Sequence, residues 1–468
     1  IYTPANGTVD TTTYKLDTTT GVEITNQLDH ANGGLQYLSR SDWTGTWPTV
    51  DGEVSDQIST WGNPINGTDA SGKAASYTYR KTISKEDLAK LDSFDSLNPT
   101  DFSTLTDEIV YGKDNGLGLI DMRGLDYDDE KWDALLDQLT PSDYQPLITQ
   151  SGYGTAAIKS VDKPSTTDRD TATGLVNYGF DASGNLYFKG NITHCGVIVL
   201  AQTYNDDLAT HYGENIGDES YYLGVDGWYA PAVNMHRTAF SGRNSEYYSE
   251  DPFIGGHIAS LECEGVASRG MYVFVKHYAI NDQEDHRGDR EGQYSIATFL
   301  NEQAAREIYL KPFEMSVKDA DCHAVMSSFN YIGNRWAGGC SELLQNVLRG
   351  EWGFLGFVET DYFGIYGYMT ADQAVRNGGD LMLCTTGNDY NTVTVLTNSS
   401  KQAMRTSAKN ILYTVVNSRA YEAENLNPGM AKWKIVLIGA DVVAALLIVG
   451  LEYTAIKNYK KRKEEEEV

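Results

Sequence analysis

The sequence predicts an α/β protein whose main part is a (β/α)8 TIM-type barrel, preceded by an irregular β-rich connector and followed by a single C-terminal transmembrane helix. From residue 126 to residue 425, short apolar runs alternate with stretches of helical periodicity, which is typical of parallel strands joined by helical crossovers. About 300 residues of this alternation fit a closed barrel better than an open sheet. A doubly wound sheet would also need a glycine-rich phosphate turn after its first strand, which the sequence lacks.

Composition limits the classes of partner. The chain has 468 residues, a formal net charge of −28, 8 Trp and 31 Tyr. The negative charge argues against a nucleic-acid partner, because such binding depends on Lys and Arg that contact phosphates. Aromatic rings stack on sugars but also fill ordinary cores, so they favour a carbohydrate partner without establishing one. The 5 cysteines contain no CxxC pair, and we predict no metal site, no disulfide framework and no cofactor.

Residues 1–125 are predicted to be a connector that wraps onto the barrel. They are polar and rich in turn residues, with short alternating runs at 14–16 and 77–79. This composition does not provide a large core of its own. The chain begins at Ile1 and no signal-peptide pattern follows, so we expect it to be part of a longer protein or a processed product.

Within the barrel region, 126–425, apolar runs predict strands and amphipathic runs predict helices. The predicted strands are 196–201, 228–233, 271–276, 324–329, 356–361 and 380–384. The predicted helices are 127–140, 253–268, 294–319, 341–349, 371–377 and 401–417.

The C-terminal stretch 433–456 predicts a single membrane span. Its central part, 435–451, is apolar apart from Asp441, and Trp433 and Tyr453 lie near the edges of the stretch, where aromatic belts are found. A basic run and four glutamates follow in the tail 457–468. Because positive residues stay in the cytoplasm, we expect a cytoplasmic tail and a barrel on the outside of the cell membrane. The alternative is a buried core helix.

The stretch 353–364 places a carboxylate directly after a predicted buried strand. Asp361 follows the apolar run 354–358 and stands beside Tyr362. The C-terminal ends of barrel strands face the active site, so Asp361 is a candidate catalytic residue. The alternative is that Asp361 only caps the next element.

Three further stretches place polar residues at predicted strand ends or in loops. Lys276 and His277 end one apolar strand together, where a cation and an imidazole can hold vicinal hydroxyls. Arg243 and Glu246 lie in a polar loop, and Asp170 lies between a proline and a glycine turn. The alternatives are a solvated lysine, a core histidine, a structural ion pair and a turn-forming aspartate.

Several motifs, occurring in order between residues 126 and 421, resemble those of glycoside hydrolase family three, the group of β-glucosidases and related exo-acting enzymes. The resembling motifs are YAPAVNMHR (229–237), GRNSEYYSEDP (242–252), VKHYAINDQEDHR (275–287), AVMSSFN (324–330), LLQNVLRGEWGFLGFVETDY (343–362) and NGGDLML (377–383).

This resemblance implies a retaining exo-acting β-glycosidase that hydrolyses terminal β-linked sugars of a β-glucoside or oligosaccharide. Asp361 stands at the position of the nucleophile in a double-displacement mechanism. The residues at sugar-binding positions are Asp170, Arg243, Lys276, His277 and Tyr362. Asp361 must be ionised to attack, and we expect the nearby Lys276 and Arg243 to lower its pKa.

The sequence departs from the family pattern in ways that leave the function open. The Asp-Gly-Pro of the family reads Asp170-Thr171-Ala172, the Trp after the nucleophile is Tyr362, and the Tyr of Ser-Tyr-Asn is Phe329. The family's acid/base glutamate comes from an α/β sandwich domain, which we expect upstream of this chain in an inverted domain order. The alternatives are a non-catalytic membrane-anchored sugar-binding or sensing protein on the same barrel and a membrane-tethered structural module.

Overall fold

The structure of the protein, a computed structural model, consists of two compact units, Ile1–Ala420 and Tyr421–Val468. The residues it describes are 15–32, 108–149, 152–176, 178–180, 183, 186–188, 192–237, 239, 241–284, 287, 296–333, 335–363, 368–385, 391–422 and 432–466. Most of the predicted connector, including the run 77–79, lies outside the described residues.

The described strands are β1 (Asp168–Asp170), β2 (Tyr178–Phe180), β3 (Leu186–Phe188), β4 (Gly227–Tyr229), β5 (Tyr272–Tyr278), β6 (Ala297–Thr298), β7 (Ala324–Ser327), β8 (Tyr331–Ile332), β9 (Arg335–Trp336) and β10 (Phe357–Thr360). The described α-helices are α1 (Lys131–Leu136), α2 (Pro141–Thr149), α3 (Val197–Gln202), α4 (Asp206–Leu223), α5 (Pro252–Ala267), α6 (Glu302–Ala304), α7 (Lys311–Asp319), α8 (Ala371–Arg376), α9 (Asn398–Val416) and α10 (Lys432–Glu466). Two π-helical segments span Ala305–Tyr309 and Glu342–Glu351.

The centre of the first unit is a parallel sheet with the strand order β1-β4-β5-β7-β10. Leu381 extends the sheet by a parallel bridge to Glu359 of β10. The backbone N–H of Met382 donates to the carbonyl oxygen of Ile148 (2.8 Å), and that of Asp168 donates to the carbonyl oxygen of Tyr153 (2.8 Å). Ile148 and Tyr153 are five positions apart in the chain, so the two edges of the sheet that they contact lie close together and the strands curve into a ring.

Alternation along the strands separates the ring interior from the face that carries the helices. In β5, Phe274 lies between Tyr272 and Lys276 on one face, and its ring centroid lies 4.7 Å from that of Tyr229 and 5.3 Å from that of Phe357. Phe274, Tyr229 and Phe357 are fully buried. These aromatic rings fill the interior of the ring, and the polar residues of the site follow them at the C-terminal ends of the strands.

One described part of the connector, 15–32, packs against the barrel. Leu28 and Ala31 belong to the same buried core cluster as the barrel residues. The backbone N–H of Leu28 donates to Oε2 of Glu302 at 2.7 Å. This contact ties the connector to the start of α6.

One predicted strand is wrong. Residues 196–201 correspond to the helix α3, in which Val197, Leu200 and Ala201 are buried while Val199 is 56% exposed. This spacing is helical, and a short apolar run fits either a buried strand or one face of a helix.

The prediction of one helix over 294–319 is also wrong. The structure has strand β6 within this range, followed by three successive helical segments. The side chain of Asn301 accepts a hydrogen bond from the backbone N–H of Ala304 and starts a new helix there. Pro312 lies in the first turn of α7, the position that a proline tolerates because its missing N–H has no intrahelical partner.

The second unit contains α10. Within it, Val436–Lys463 comprises 28 residues, and an 18-residue window of this stretch has a mean hydropathy of 2.1 and is not buried. By length and composition this helix is able to cross a membrane. It overlaps the predicted span, 433–456.

Candidate active site

Asp361 directly follows β10, at the C-terminal end of the sheet. Its backbone N–H donates to the carbonyl oxygen of Ser327 (3.0 Å), which holds the turn against β7. Its Oδ1 accepts from the backbone N–H of Tyr362 (2.7 Å). Its Oδ2 is buried, has no hydrogen-bond partner within the described residues, and lies 3.8 Å from Nε2 of His277. One carboxyl oxygen is therefore held by the backbone and the other is available to react.

His277 lies near the end of β5 and is 1% exposed. The side chain of Asn234 bonds to its backbone and approaches its ring, and the ring of Tyr247 meets the imidazole edge to face at 6.3 Å. Burial lowers the pKa of His277 well below its usual value, and the positive charges of Arg243, Lys276 and Arg287 act in the same direction. The imidazole is therefore neutral at ordinary pH.

Lys276 and Asp170 form an ion pair across the ring interior. The Nζ atom of Lys276 lies 2.7 Å from Oδ1 of Asp170, and their side chains are 3% and 50% exposed. Burial tends to raise the pKa of Asp170, but the charge and hydrogen bond of Lys276 and the backbone N–H of Thr171 outweigh it and lower the pKa overall. Lys276 is therefore a buried, paired cation and not a solvated lysine at the rim.

Arg243 is held by two glutamates. Its Nε and one terminal nitrogen donate to the two oxygens of Glu246 (2.6 and 2.9 Å), and its other terminal nitrogen donates to Glu284 (3.1 Å). Glu284 also accepts from Arg287 (2.7 Å) and from the side chain of Asn281 (2.7 Å). The ion pair considered from the sequence is present, and it uses three of the five N–H donors of the guanidinium.

A cavity of about 570 Å³ opens beside these residues, a size typical of small-molecule sites. Its walls are formed by Tyr153, Arg169, Asp170, Thr171, Ala172, Thr173, Val176, Arg243, Ser245, Glu246 and Lys276. The structure thus brings three of the predicted sugar-binding residues, Asp170, Arg243 and Lys276, to one cavity. His277 and Asp361 are not among its wall residues and lie beside Lys276.

The remaining departures from the family pattern have visible local effects. Tyr362 turns its hydroxyl to Oγ1 of Thr385 at 2.6 Å. The guanidinium of Arg287 lies over the ring of Phe329, with its Cζ atom 4.2 Å from the ring centroid. Thr171 has φ of 109°, a conformation that β-branched residues rarely adopt and that glycine adopts freely.

Burial raises the pKa of Asp361 to about 6. Three cations act in the opposite direction, namely Arg243, Arg287 and Lys276. The expectation that Lys276 and Arg243 lower the pKa of Asp361 is therefore confirmed, although the net pKa lies above the ordinary value. The cations lower the pKa as expected, but desolvation of the carboxylate is the larger effect.

Sequence reasoning missed Asn234, Glu284 and Arg287. All three lie within motifs quoted above, but their roles depend on contacts with residues elsewhere in the chain, which no local pattern reveals. Within the described residues, no group of three His, Cys, Asp or Glu side chains is arranged to hold a metal ion.

The arrangement suits nucleophilic attack by a carboxylate on an uncharged, hydroxyl-rich molecule. A buried carboxyl oxygen without a partner lies beside a neutral imidazole, and paired cations and carboxylates that can bond to hydroxyl groups line the adjacent cavity. Charge-assisted hydrogen bonds of this kind are roughly twice as strong as neutral ones.

Comparison with known proteins identifies the domain. Residues 184–411 match the family model for the glycosyl hydrolase family 3 N-terminal domain. Beta-glucosidase B of Emericella nidulans is 40% identical over 197 residues, which are 42% of this chain and 22% of that protein. A beta-glucosidase of Rhizobium radiobacter is 32% identical over 252 residues, which are 53% of this chain and 29% of that protein.

The solved structures agree with this result. The structure of beta-glucosidase 3B from Thermotoga neapolitana in complex with alpha-D-glucose has a TM-score of 0.54 at 30% identity, covering 63% of this chain and 44% of that one. The predicted resemblance is confirmed, and the domain is of the (β/α)8 type. The chain spans less than half the length of each of these three proteins.

Proposed function

Residues 184–411 match the glycosyl hydrolase family 3 N-terminal domain, and from that premise we propose that the protein is a retaining, exo-acting β-glycosidase with Asp361 as its nucleophile. The observation that carries the proposal is the buried Oδ2 of Asp361, which has no hydrogen-bond partner within the described residues and lies beside His277. A buried ionisable group with a shifted pKa at the end of a barrel strand is typical of catalysis.

The proposed reaction has two displacements. Oδ2 of Asp361 forms a bond to the anomeric carbon while the bond from that carbon to the leaving oxygen breaks, and the leaving oxygen keeps the electron pair and takes a proton from a general acid. Water then attacks the anomeric carbon and gives a proton to the same residue, now a base, which releases Asp361 and the sugar with retained configuration.

We propose that the terminal sugar is a β-linked glucose or a close relative, because the similar proteins are β-glucosidases. Lys276, Asp170 and Arg243 supply donors and acceptors for ring hydroxyls from the cavity wall. His277 contacts the sugar beside the nucleophile, and Tyr362 borders the site next to Asp361. Hydrogen bonds that strengthen as the oxocarbenium-like transition state forms would accelerate the reaction.

The acid/base residue is proposed to come from a sandwich domain outside this chain. The carboxylates of the site other than Asp361 are bonded to cations in the described residues: Asp170 to Lys276, and Glu246 and Glu284 to Arg243. A carboxylate bonded to a cation is a poor proton donor, because the cation stabilises its ionised form.

We further propose that α10 anchors the protein in the cell membrane as a single span, with the barrel outside. Support comes from the length and hydropathy of Val436–Lys463 and from the basic residues that follow Ile456, which favour a cytoplasmic tail.

An activated fluorosugar tests the nucleophile. A 2-deoxy-2-fluoro-β-glucoside with a dinitrophenolate leaving group needs no protonation to depart, so labelling does not require the acid/base residue. We expect a covalent 2-fluoroglucosyl adduct on the peptide that contains Asp361, detected by mass spectrometry of the full-length protein. The D361N variant is the control and should remain unlabelled.

A non-catalytic sugar-binding role is the second candidate, favoured by the absence of an unpaired second carboxylate among the described site residues. Both proposals require sugar binding, so calorimetric titration with glucose does not separate them. Sugar binding without any adduct at Asp361 would support the binding role and contradict the proposed hydrolase.

A further inference from the structure

The side-chain amide of Asn234 contacts His277 at three points. The backbone N–H of His277 lies 2.8 Å from Oδ1 of Asn234, and the ring atom Nδ1 lies 3.2 Å from the same oxygen. Nδ2 of Asn234 lies 3.1 Å from the carbonyl oxygen of His277. Asn234 is 2% exposed, so these contacts are shielded from bulk solvent.

The orientation of this amide follows from the backbone of His277. A backbone N–H only donates, so the amide atom 2.8 Å away is the oxygen. A backbone carbonyl only accepts, so the amide atom 3.1 Å away is the nitrogen. An amide oxygen has no proton to give, and the ring atom Nδ1 must therefore carry the proton in its contact with Oδ1.

We propose that Asn234 is a positioning residue that fixes His277 as the Nδ1–H tautomer and leaves Nε2 as a bare acceptor beside Asp361. The register of the sheet supports this pairing, because an isolated bridge joins Ala232 to Lys276 and brings the chain after β4 alongside the end of β5. The charged groups that face the imidazole are Arg243, Lys276, Arg287 and Asp361. The three cations and burial disfavour a second proton on the ring.

The proposal has a consequence for the substrate, which rests on the proposed glycosidase function. Nε2 of His277 and Oδ2 of Asp361 are 3.8 Å apart, and with Asp361 ionised both atoms are acceptors. A sugar hydroxyl beside them must therefore act as a hydrogen-bond donor to one of these two atoms. A fluorine at the same sugar position accepts but does not donate, so it should weaken binding as much as removal of the hydroxyl does.

Nitrogen NMR of the imidazole tests the tautomer without any activity. The chain has 8 histidines, so selective ¹⁵N-histidine labelling of the full-length protein gives few signals, and the spectrum of the H277Q variant assigns those of His277. We expect Nδ1 in the protonated range and Nε2 in the unprotonated range. Protonation of Nε2 in the parent protein would overturn the proposal.

Two variants separate positioning from simple packing. N234L removes the acceptor and should shift the His277 signals towards the Nε2–H tautomer. N234D keeps an oxygen facing the backbone N–H and Nδ1, so it should retain the Nδ1–H signature, and its negative charge should raise the pKa of His277. If N234L fails to fold, the N234D variant alone decides the question. Loss of the protonated Nδ1 signal of His277 in folded N234D would then overturn the proposal.

The matched control is N410A, which removes another buried amide with two side-chain contacts, to Asp380 (2.9 Å) and to Tyr127 (2.6 Å). It should leave the His277 signals unchanged. If fluorosugar labelling of Asp361 fails while the tautomer is as proposed, the hydrolase proposal fails and the positioning role of Asn234 stands.

Discussion

Nε2 of His277 lies 3.8 Å from Oδ2 of Asp361, and that carboxyl oxygen has no hydrogen-bond partner within the described residues. This distance is longer than a hydrogen bond, so the imidazole and the carboxyl group are not bonded to each other. Both atoms can therefore accept a hydrogen bond from a bound molecule. A pyranose hydroxyl has the chemistry to form such a bond, since it can donate to either atom.

The first prediction concerns pH. Burial raises the pKa of Asp361 to about 6, and the nucleophile must be ionised, so kcat/KM should rise with pH through an apparent pKa near 6. The pH profile of aryl β-glucoside hydrolysis by the complete enzyme checks this. An acid limb near the ordinary aspartate value of 3.8 would contradict the burial argument.

The same raised pKa predicts a stability effect of D361N. The folded-state pKa exceeds the unfolded value, so ionising Asp361 costs stability, and this cost grows between about pH 4 and pH 6 and is complete above it. At pH 7.5 the D361N variant should be about 1–3 kcal/mol more stable than the parent, since each pKa unit corresponds to about 1.4 kcal/mol. Urea unfolding at pH 7.5 and pH 4 measures the difference, which should vanish at the lower pH.

Removing the cation of Lys276 should impair both binding and the nucleophile. K276M leaves Asp170 without its ion-pair partner and removes one of the charges that lower the pKa of Asp361. We expect kcat/KM to fall at least about 100-fold, which corresponds to about 2.7 kcal/mol, and the acid limb to move to higher pH. K318M, which removes a lysine paired with Asp17 and Glu314 outside the site, should change neither quantity.

Replacing Thr171 by glycine should stabilise the fold. A residue held at φ of 109° stores about 1–3 kcal/mol of strain, and the entropic cost of glycine is about 0.5–1 kcal/mol. We expect T171G to gain about 1 kcal/mol, read as a higher thermal midpoint. T173G is the matched control, because Thr173 is not among the residues with positive φ, and it should lower the midpoint. A lower midpoint for T171G would show that no strain is stored there.

Deleting α10 should detach the protein from membranes. The full-length chain should remain in the membrane pellet after alkaline carbonate extraction, and a variant that lacks residues 432–468 should be released. A matched variant with Gln at Lys457, Lys460, Lys461, Arg462 and Lys463 should stay in the pellet with mixed orientation, because those charges direct topology. Release of the full-length chain would contradict the anchor.

The strands were predictable where burial on both faces makes a sequence run continuously apolar. The runs 271–276, 324–329 and 356–361 match β5, β7 and β10 for this reason. The run 196–201 did not match a strand, because six apolar residues fit a strand and a helix equally well. Its helical packing depends on contacts with the rest of the fold, which no local pattern contains.

The site was only partly accessible to sequence reasoning. Asp170, Arg243 and Lys276 share a cavity in the structure, and the sequence had indicated all three as sugar-binding candidates. The positioning role of Asn234 is set by a strand register that links residues 43 positions apart. The raised pKa of Asp361 comes from burial, which also depends on the assembled fold.

The hydrogen bond between Ile148 and Met382 links two positions that are separated by half the length of the chain. During synthesis, therefore, the backbone at Ile148 has no sheet partner until the ribosome has released residue 382. Such long-range pairing slows folding and exposes unpaired edges that attract other chains. The nascent protein should accordingly depend on chaperones until this last pairing forms.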